Sequence, residues 1–328
     1  KMLYDNAQLL GTYAEAWARY RDPLYARVVA ETVAWLEREM GLANGLLAAS
    51  LDADTDHHEG LTYVWKAPEV AEVLGAEAFD FAQVYGLSDR GNFEGANIPK
   101  LKGKIADRDR LAGARAKLLA RRNQRPQPGR DDKALLGWNA LAVRGLAQAA
   151  WIFGRRDWHD WAVQIAAGLW RRCADETDSE LGLRAVVHGE TAALPATLTD
   201  HAWLVEAELA LAATAGWAGG DPTRHAARAA ALLRTAQLGF GDPHEVGYFL
   251  VAAERSDLAV RQKDWFDNAV PAGNSSLLHG FGQLQMHSAD PRWAREFADL
   301  STAYGGLCKN VPNGVAHALD GIARFALG

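Results

Sequence analysis

Pairs of helices recur along this chain, and in each pair the first helix is far more apolar than the second. Openings rich in Asp or Asn mark the first members at Asp5, Asn139, Asp200 and Asn268. These openings are 134, 61 and 68 residues apart. Because the first step is about twice the others, a further pair is predicted between Glu69 and Arg125. A regular period of this length is typical of a fold built from one repeated supersecondary unit.

The two members of each pair differ in where their charges lie. The stretch 134–153 carries only Arg144 and Gln148 as long polar side chains, so this helix is apolar on nearly every face. The helix that begins at Asp22-Pro23 has one apolar stripe and one charged stripe. A helix that is apolar all round is buried, whereas a striped helix lies at the surface. We therefore predict two concentric layers of helices, an all-α (α/α)6 toroid, with residues 1–328 forming a single domain.

The pattern predicts five pairs and one further helix near Pro312–Leu327. A ring needs that helix to be paired, and the chain opens on Lys1 inside a helical pattern. We therefore expect the first helix of the toroid to lie upstream of Lys1. Between the helices, the apolar runs Leu46–Leu51 and Leu61–Trp65 flank an acidic loop and predict a short β-hairpin insertion.

Composition argues against several classes of function. A net charge of −6 disfavours sequence-independent binding to nucleic acid, which needs a basic face. The sequence contains no apolar run of about 18 residues free of charge, so we expect no membrane span. Cys173 and Cys308 form no metal-ligand spacing and no disulfide framework, which favours a reduced, cytoplasmic setting. We expect no metal and no cofactor.

Acidic side chains stand at the openings of the apolar helices. They are Asp5, Asp132, Asp200 and Asp267. Helix N-termini favour anionic and polyhydroxy ligands, and a pair of carboxylates in one pocket can hydrolyse a glycosidic bond. We predict Asp132 and Asp200 as acid and base, with Asp5 as a further catalytic candidate. The alternative is that these carboxylates only cap helices, or pair with Arg130 and Lys133.

An epimerase would instead use His201 as its base, with His57 or His58 as the complementary acid. The predicted ligand-binding residues combine flat aromatic faces with amides and charges, as sugar recognition requires. They are Asn6, Trp65, Glu94, Asn97, Arg130, Trp138, Asn139, Asp267 and Asn274. Among them Trp138, at a helix opening, is the predicted stacking face.

Several motifs resemble a known family in the family's own order. The motifs are Lys1–Ala7, Leu51–Asp54 with Tyr63–Trp65, Gly91–Asn97, Arg130–Lys133 with Trp138-Asn139, and Pro271–Ser275. They are similar to the helical part of the thioredoxin-domain-containing, spermatogenesis-associated proteins. The resemblance implies a six-hairpin toroid akin to N-acylglucosamine 2-epimerases, with a thioredoxin-like domain upstream. That family carries Asp-Asp-Tyr where this chain has Thr199-Asp200-His201, so the resemblance implies no role for His201.

Two functional hypotheses follow from these residues. The first is a carbohydrate-active enzyme, a glycoside hydrolase or a sugar epimerase, that binds a small sugar at the N-terminal ends of the inner helices. The second is a non-catalytic toroid that binds a ligand or a partner for an attached thioredoxin-like domain. Toroids host several unrelated functions, so the site must decide between them. An enzyme needs at least one carboxylate buried with a raised pKa in a closed pocket, whereas a scaffold leaves its acids solvated or fully matched by Arg and Lys.

Overall fold

The computed structural model describes residues 1–174, 182–255 and 258–326. Contacts within the chain divide it into two compact units. The small unit comprises Lys1 and Leu51–Asp131, and the large unit comprises Met2–Ser50 and the chain from Asp132 onwards. That residues 1–328 form a single domain stays a prediction. Among the described residues, no helix is both long and apolar enough to cross a membrane.

Helices account for most of the large unit and for less than half of the small unit. They are α1 (Leu3–Tyr20), α2 (Pro23–Trp35), α3 (Ala67–Leu74), α4 (Ala78–Tyr85), α5 (Ile105–Arg110), α6 (Ala112–Arg122), α7 (Leu136–Phe153), α8 (Arg156–Cys173), α9 (Leu198–Ala215), α10 (Pro222–Phe240), α11 (Gly273–Gln285), α12 (Pro291–Cys308) and α13 (Ala316–Phe325). Asp22, Asp221 and Asp290 cap α2, α10 and α12, each ahead of a proline at the first helical position. Leu327, the predicted end of the last helix, lies outside the described residues.

The large unit contains the two predicted layers. Its inner helices pack in the order α1, α7, α9, α11 and α13, and α2, α8, α10 and α12 each pack on the inner helix that precedes them in the chain. Residues of α7 and α9 are buried on nearly all sides, whereas α8 and α10 are buried along one stripe. The difference in apolar pattern within each pair therefore predicted the layer to which each helix belongs.

The predicted pair between Glu69 and Arg125 does not separate α1 from α7. A Cβ on Gly145 of α7 would lie 2.4 Å from the carbonyl oxygen of Ala7, so only glycine allows α1 and α7 to pack this closely. The helices α3 to α6 belong to the small unit, where they share an apolar core. That core is formed by Trp65, Val70, Leu74, Phe81, Val84, Tyr85, Leu111, Ala114 and Leu118.

The strands are short and lie between the helices. They are β1 (Ser50–Leu51), β2 (Asp54–Thr55), β3 (His58–Glu59), β4 (Arg130–Asp131), β5 (Ala134–Leu135), β6 (Arg184–His188) and β7 (Thr191–Pro195). In the large unit β5, β6 and β7 form an antiparallel sheet. In the small unit β2 pairs with β3 across Asp56 and His57, whose positive φ angles suit a two-residue turn.

The predicted hairpin between Leu46–Leu51 and Leu61–Trp65 is therefore wrong in its position, although a hairpin exists. The backbone of Ala48 and Ala49 bonds instead to Met40 and Leu3. Trp65 pairs with Asn97 within the small unit. The tight turn at Asp56 and His57 closes a smaller hairpin inside the acidic loop, which the apolar runs could not indicate.

Two buried asparagines fasten the openings of α7 and α11 to neighbouring backbone. Asn139 accepts the Leu47 N–H at 2.8 Å and donates to the carbonyl oxygens of Leu47 and Leu135, both at 3.0 Å. Asn274 accepts the Tyr248 N–H at 2.8 Å and donates to the carbonyl oxygens of Tyr248 and Asp264, both at 2.9 Å. Both side chains are fully buried. Each amide therefore pairs with the backbone N–H and carbonyl of a residue, Leu47 or Tyr248, whose other edge bridges to Gly41 or Gly241.

We predict that Asn139→Leu lowers the free energy of unfolding by about 3 kcal/mol, because it leaves three buried backbone groups without partners. Leu is close to Asn in volume, so loss of packing contributes little. Urea denaturation measures the effect. The matched control is Asn6→Leu, because the half-buried Asn6 side chain bonds only to the Met2 carbonyl oxygen. Equal losses in the two variants would contradict this role for Asn139.

Candidate functional site

A cavity of about 380 Å³ runs along the N-terminal halves of α1, α7 and α13 in the large unit. We refer to it as the N-terminal cavity. Its walls are mainly polar, with charges of both signs. The polar lining residues are Gln8, Thr12, Glu15, Arg144, Gln148, Asp267, Asn268, Asn313, His317, Asp320 and Arg324. A pocket of this size and polarity suits a small ligand rich in hydroxyl groups.

At the inner end of this cavity lies a buried group of four charged or ionisable side chains, which we call the inner cluster. It consists of Arg144, Glu206, His279 and His317, contributed by α7, α9, α11 and α13 respectively. Glu206 lies at its centre and is 5% exposed. Its Oε2 is 2.8 Å from Nη1 of Arg144, and its Oε1 is 2.9 Å from Nε2 of His317. Four inner helices therefore meet at one carboxylate.

The charge of Glu206 fixes the tautomer of His317. Burial alone would raise the pKa of Glu206, but the charge of Arg144 and the hydrogen bond from His317 outweigh burial and hold that pKa well below its usual range. The carboxylate is therefore ionised and can only accept, so Nε2 of His317 is the donor in their hydrogen bond. The lone pair of a neutral His317 is then on Nδ1. No hydrogen bond from the described residues reaches this atom, and His317 lines the N-terminal cavity.

His279 stacks on His317, with ring centroids 4.0 Å apart and planes 10° from parallel. Its Nε2 donates to the His317 carbonyl oxygen at 2.7 Å. Burial, followed by the neighbouring His317, lowers the pKa of His279 to about 4. A neutral His279 therefore lies against His317. Gly321 of α13 makes room for this ring, because a Cβ there would lie 2.9 Å from Nε2 of His279.

Asp267 joins the first turns of α11 and α13 beside the cavity. Its Oδ1 accepts the Ala272 N–H at 2.9 Å and the Ser275 hydroxyl at 2.7 Å. Its Oδ2 accepts the His317 backbone N–H at 2.9 Å. Asp267 thus satisfies donors that helix N-termini leave unpaired, and it fixes the backbone of His317. Of the four predicted carboxylates, it is the one that lines the N-terminal cavity.

The other three predicted carboxylates do not line this cavity. Asp5 lies in the first turn of α1 and is exposed, and Asp132 lies exposed ahead of α7. Asp200 completes a capping box, since its Oδ2 accepts the Thr197 N–H at 2.9 Å and its Oδ1 accepts the Gly137 N–H at 3.2 Å. Catalytic roles for Asp5, Asp132 and Asp200 stay predictions.

The remaining predicted residues of the large unit also lie outside the N-terminal cavity. His201 is buried, its Nδ1 is 2.8 Å from the Thr197 carbonyl oxygen, and it lines a separate cavity of about 670 Å³. Trp138 packs edge-on against Tyr4 at 4.8 Å. Asn6 donates to the Met2 carbonyl oxygen, and the buried amides of Asn139 and Asn274 make the backbone contacts described above.

The predicted residues of the small unit differ in burial, and two of them, Trp65 and Asn97, contact each other. Trp65 is buried, with the Arg125 guanidinium 4.0 Å from its ring centroid. Asn97 is buried and bonds through its side chain to the backbone of Ser88 and Trp65. Glu94 is exposed with a φ of 46°, and Arg130 is exposed at β4. Ligand-binding roles for these residues stay predictions.

Three members of the inner cluster could in principle hold a metal ion. Ligand atoms of Glu206, His279 and His317 all lie within 4.8 Å of one another. Nε2 of His279, however, is bonded to a backbone carbonyl, and the Arg144 guanidinium already occupies one side of the Glu206 carboxylate. An ion would have to compete with both contacts. The chemistry of the set therefore favours proton transfer over metal binding.

Sequence reasoning missed the inner cluster, although two of its members left a signal. Arg144 and Glu206 are charged residues inside helices that are otherwise apolar on nearly every face. A charge in such a helix is costly unless it is paired, so its presence indicates a buried partner or a function. His279 and His317 carry no such local signal. Only the packing of α9, α11 and α13 brings them to Glu206.

No family model matches the chain. It is 28% identical over 357 residues to spermatogenesis-associated protein 20 of Homo sapiens, a match that covers 95% of this chain and 45% of that protein. The mouse protein of the same name is also 28% identical, with the same coverage. The chain thus spans about half the length of these relatives. These matches confirm the resemblance that the motifs indicated.

The structure is similar to two cellobiose 2-epimerases. That of Spirochaeta thermophila DSM 6192 aligns with a TM-score of 0.55 at 14% identity, covering 93% of this chain and 60% of the other. That of Bacillus thermoamylovorans B4167 aligns with a TM-score of 0.56 at 10% identity, covering 92% and 60%. At such low identity the likeness shows the fold alone. The chain therefore resembles the spermatogenesis-associated proteins in sequence and has the predicted (α/α)6 toroid fold.

Proposed function

We propose that this chain is a carbohydrate-active enzyme that binds a reducing sugar in the N-terminal cavity and transfers a proton beside the sugar carbonyl. The observation that carries the proposal is the Glu206–His317 pair, whose histidine lines that cavity. A carboxylate that accepts from one ring nitrogen orients a histidine and stabilises its protonated form. The reaction class is that of a sugar epimerase or isomerase.

The residues of the inner cluster divide the chemistry between them. The C–H bond beside the carbonyl breaks, its proton passes to Nδ1 of His317, and the electron pair moves onto the carbonyl oxygen. Arg144 lines the cavity and supplies N–H donors and positive charge for that oxygen. Glu206 stabilises the imidazolium that forms when His317 accepts this proton. Return of this proton from His317 to the adjacent carbon gives an isomer, whereas an epimer requires a second donor to protonate the same carbon from the other face.

Glycoside hydrolysis is less well supported by these groups. It needs a protonated carboxyl and a second carboxylate on either side of one bond. Glu206 is held ionised by Arg144, and the two oxygens of Asp267 accept three donors. Burial raises the pKa of Asp264, but this side chain does not line the N-terminal cavity. A histidine base therefore fits the cavity better than a pair of acids.

One observation favours the second candidate, a toroid that binds a ligand without catalysis. The buried charge of Glu206 is matched by Arg144 and His317, as a purely structural network would also require. His317 lines the cavity, and no hydrogen bond from the described residues reaches its Nδ1. This nitrogen supports catalysis instead. That the full-length chain carries a thioredoxin-like domain, as the resemblance implied, stays a prediction.

We predict that His317→Gln abolishes sugar proton exchange, lowering its rate by at least about 100-fold, because it removes the base. The Gln amide nitrogen can still donate to Glu206, which keeps the buried charge paired. The assay follows deuterium uptake at C2 of glucose, mannose and cellobiose in D2O by NMR, and the products identify epimer or isomer. His188→Gln, at an exposed strand end, is the control.

The result also separates the two candidate functions. Exchange by the wild type that survives in His317→Gln but is lost in His201→Gln would assign the base to His201 instead. Saturable sugar binding by the wild type with no exchange on any of these sugars would support the non-catalytic toroid. Neither result is compatible with His317 as the base.

We further predict that acid destabilises the protein through His279, which this mechanism requires to be neutral. The folded protein keeps the pKa of His279 at about 4, below the ordinary value of 6.5. Between these values the unfolded chain binds a proton that the folded chain does not, so stability falls as pH decreases. Lowering the pH from 7 to 4.5 should cost about 2.4 kcal/mol from this residue.

The variant His279→Gln keeps a donor for the His317 carbonyl oxygen but cannot titrate. Urea denaturation of wild type and variant across this pH window isolates the contribution of His279 from that of other histidines. The difference in unfolding free energy between the two proteins should shrink steadily as the pH falls from 6.5 toward 4.5. A difference that is independent of pH would show that folding does not lower the pKa of His279.

A further inference from the structure

A second cavity, of about 220 Å³, lies at the opposite end of the inner helices. We call it the C-terminal cavity. It is bounded by the C-terminal halves of α7, α9 and α11 and the end of α13. Its polar and aromatic walls include Gln148, Trp151, Thr214, His279 and Gln283. None of the candidate functional residues proposed from the sequence lies in it.

A polar contact separates the two cavities. Glu15 accepts from Nη2 of Arg324 at 3.1 Å and from the Gln148 amide at 2.5 Å. These three residues and Arg144 line both cavities. The two cavities are therefore neighbours that share part of their walls, and His317 is not among the residues that line the C-terminal cavity.

Trp151 gives this cavity an unusual wall. It lies in the last turn of α7, whose other large apolar residues are mostly buried, yet its side chain is 57% exposed. Among the described residues, no aromatic ring or cation stacks on the Trp151 ring. A tryptophan that keeps this much apolar surface beside a polar cavity offers one flat face to a ligand.

The opposite wall of the C-terminal cavity includes the buried side chain of His279. His279 is 7% exposed, and its Nε2 is bonded to the His317 carbonyl oxygen. Within the described parts of the chain, no residue bonds to its Nδ1. Because the neutral ring carries its proton on Nε2, Nδ1 is an acceptor for a ligand hydroxyl.

We propose that the C-terminal cavity is a second carbohydrate site that binds one pyranose ring, stacked on Trp151 and hydrogen-bonded to His279. A pyranose has an apolar C–H face and a rim of hydroxyls, which matches one aromatic wall with amide, hydroxyl and imidazole groups around it. An apolar ligand would leave the Nδ1 atom of His279 without a partner. This site does not depend on catalysis in the N-terminal cavity.

The test uses protein labelled with 5-fluorotryptophan, in which 19F NMR resolves individual tryptophans. The Trp151 resonance is identified by its absence in Trp151→Tyr. Titration with glucose or cellobiose should shift it saturably, and the open-chain polyol sorbitol should not. His317→Gln should show the same shift, so a failure of the proposed catalysis leaves this result unaffected.

Affinity for the same sugars is measured by saturation-transfer NMR on the unlabelled protein. Trp151→Ala should weaken binding at this site about fivefold, and Trp151→Tyr should restore most of it by keeping a stacking face. Trp217→Ala, which removes an exposed tryptophan that lines neither cavity, is the matched control. A Trp151 resonance that glucose and cellobiose leave unmoved would overturn the proposal. A shift that sorbitol reproduces would also overturn it, because it would show adventitious contact.

Discussion

A single buried carboxylate organises the inner layer of the large unit. Removing Glu206 from water costs several kcal/mol, and only partners supplied by other helices can offset that cost. Arg144 from α7 and His317 from α13 supply them, and His279 of α11 then packs on His317. The positions of four helices are thereby tied to one another at a single point. The same contacts that offset the desolvation of Glu206 also hold His317 at the wall of the N-terminal cavity. The stability of the inner layer and the proposed chemistry therefore depend on the same contacts.

The polar residues at the helix openings serve a different purpose. Buried helix N-termini expose backbone N–H groups that need acceptors, and Asp200 and Asp267 provide them. Asn139 and Asn274 do the equivalent for neighbouring loops. The candidate chemistry lies deeper in the toroid, about two turns along α7, α9 and α11. Capping and ligand binding use the same residue types, which is why the sequence alone could not separate them.

Features that local sequence determines could be predicted, whereas features that depend on contacts between distant parts of the chain could not. Layering follows from local periodicity, so the all-α toroid and its inner and outer helices were predicted correctly. Direct packing of α1 on α7 depends on Gly145 meeting Ala7, a contact between distant parts of the chain that no periodic pattern encodes. The inner cluster is equally non-local. Only Arg144 and Glu206 gave a local signal, as charged residues in largely apolar helices. Weighing the cost of burying those charges would have indicated the site.

The stacked histidines give the two cavities a physical connection. Nε2–H of His279 donates to the carbonyl oxygen of His317, whose own N–H is held by Asp267. A hydroxyl that donates to Nδ1 of His279 withdraws electron density from that ring and makes its Nε2–H a stronger donor. The effect reaches His317 through the shared carbonyl and through the ring faces 4.0 Å apart. Because the pair lies between the cavities, the two proposals together predict that a ligand at the C-terminal end acts on His317 without touching a substrate at the N-terminal end. The stacked rings and the shared carbonyl would carry that electrostatic coupling.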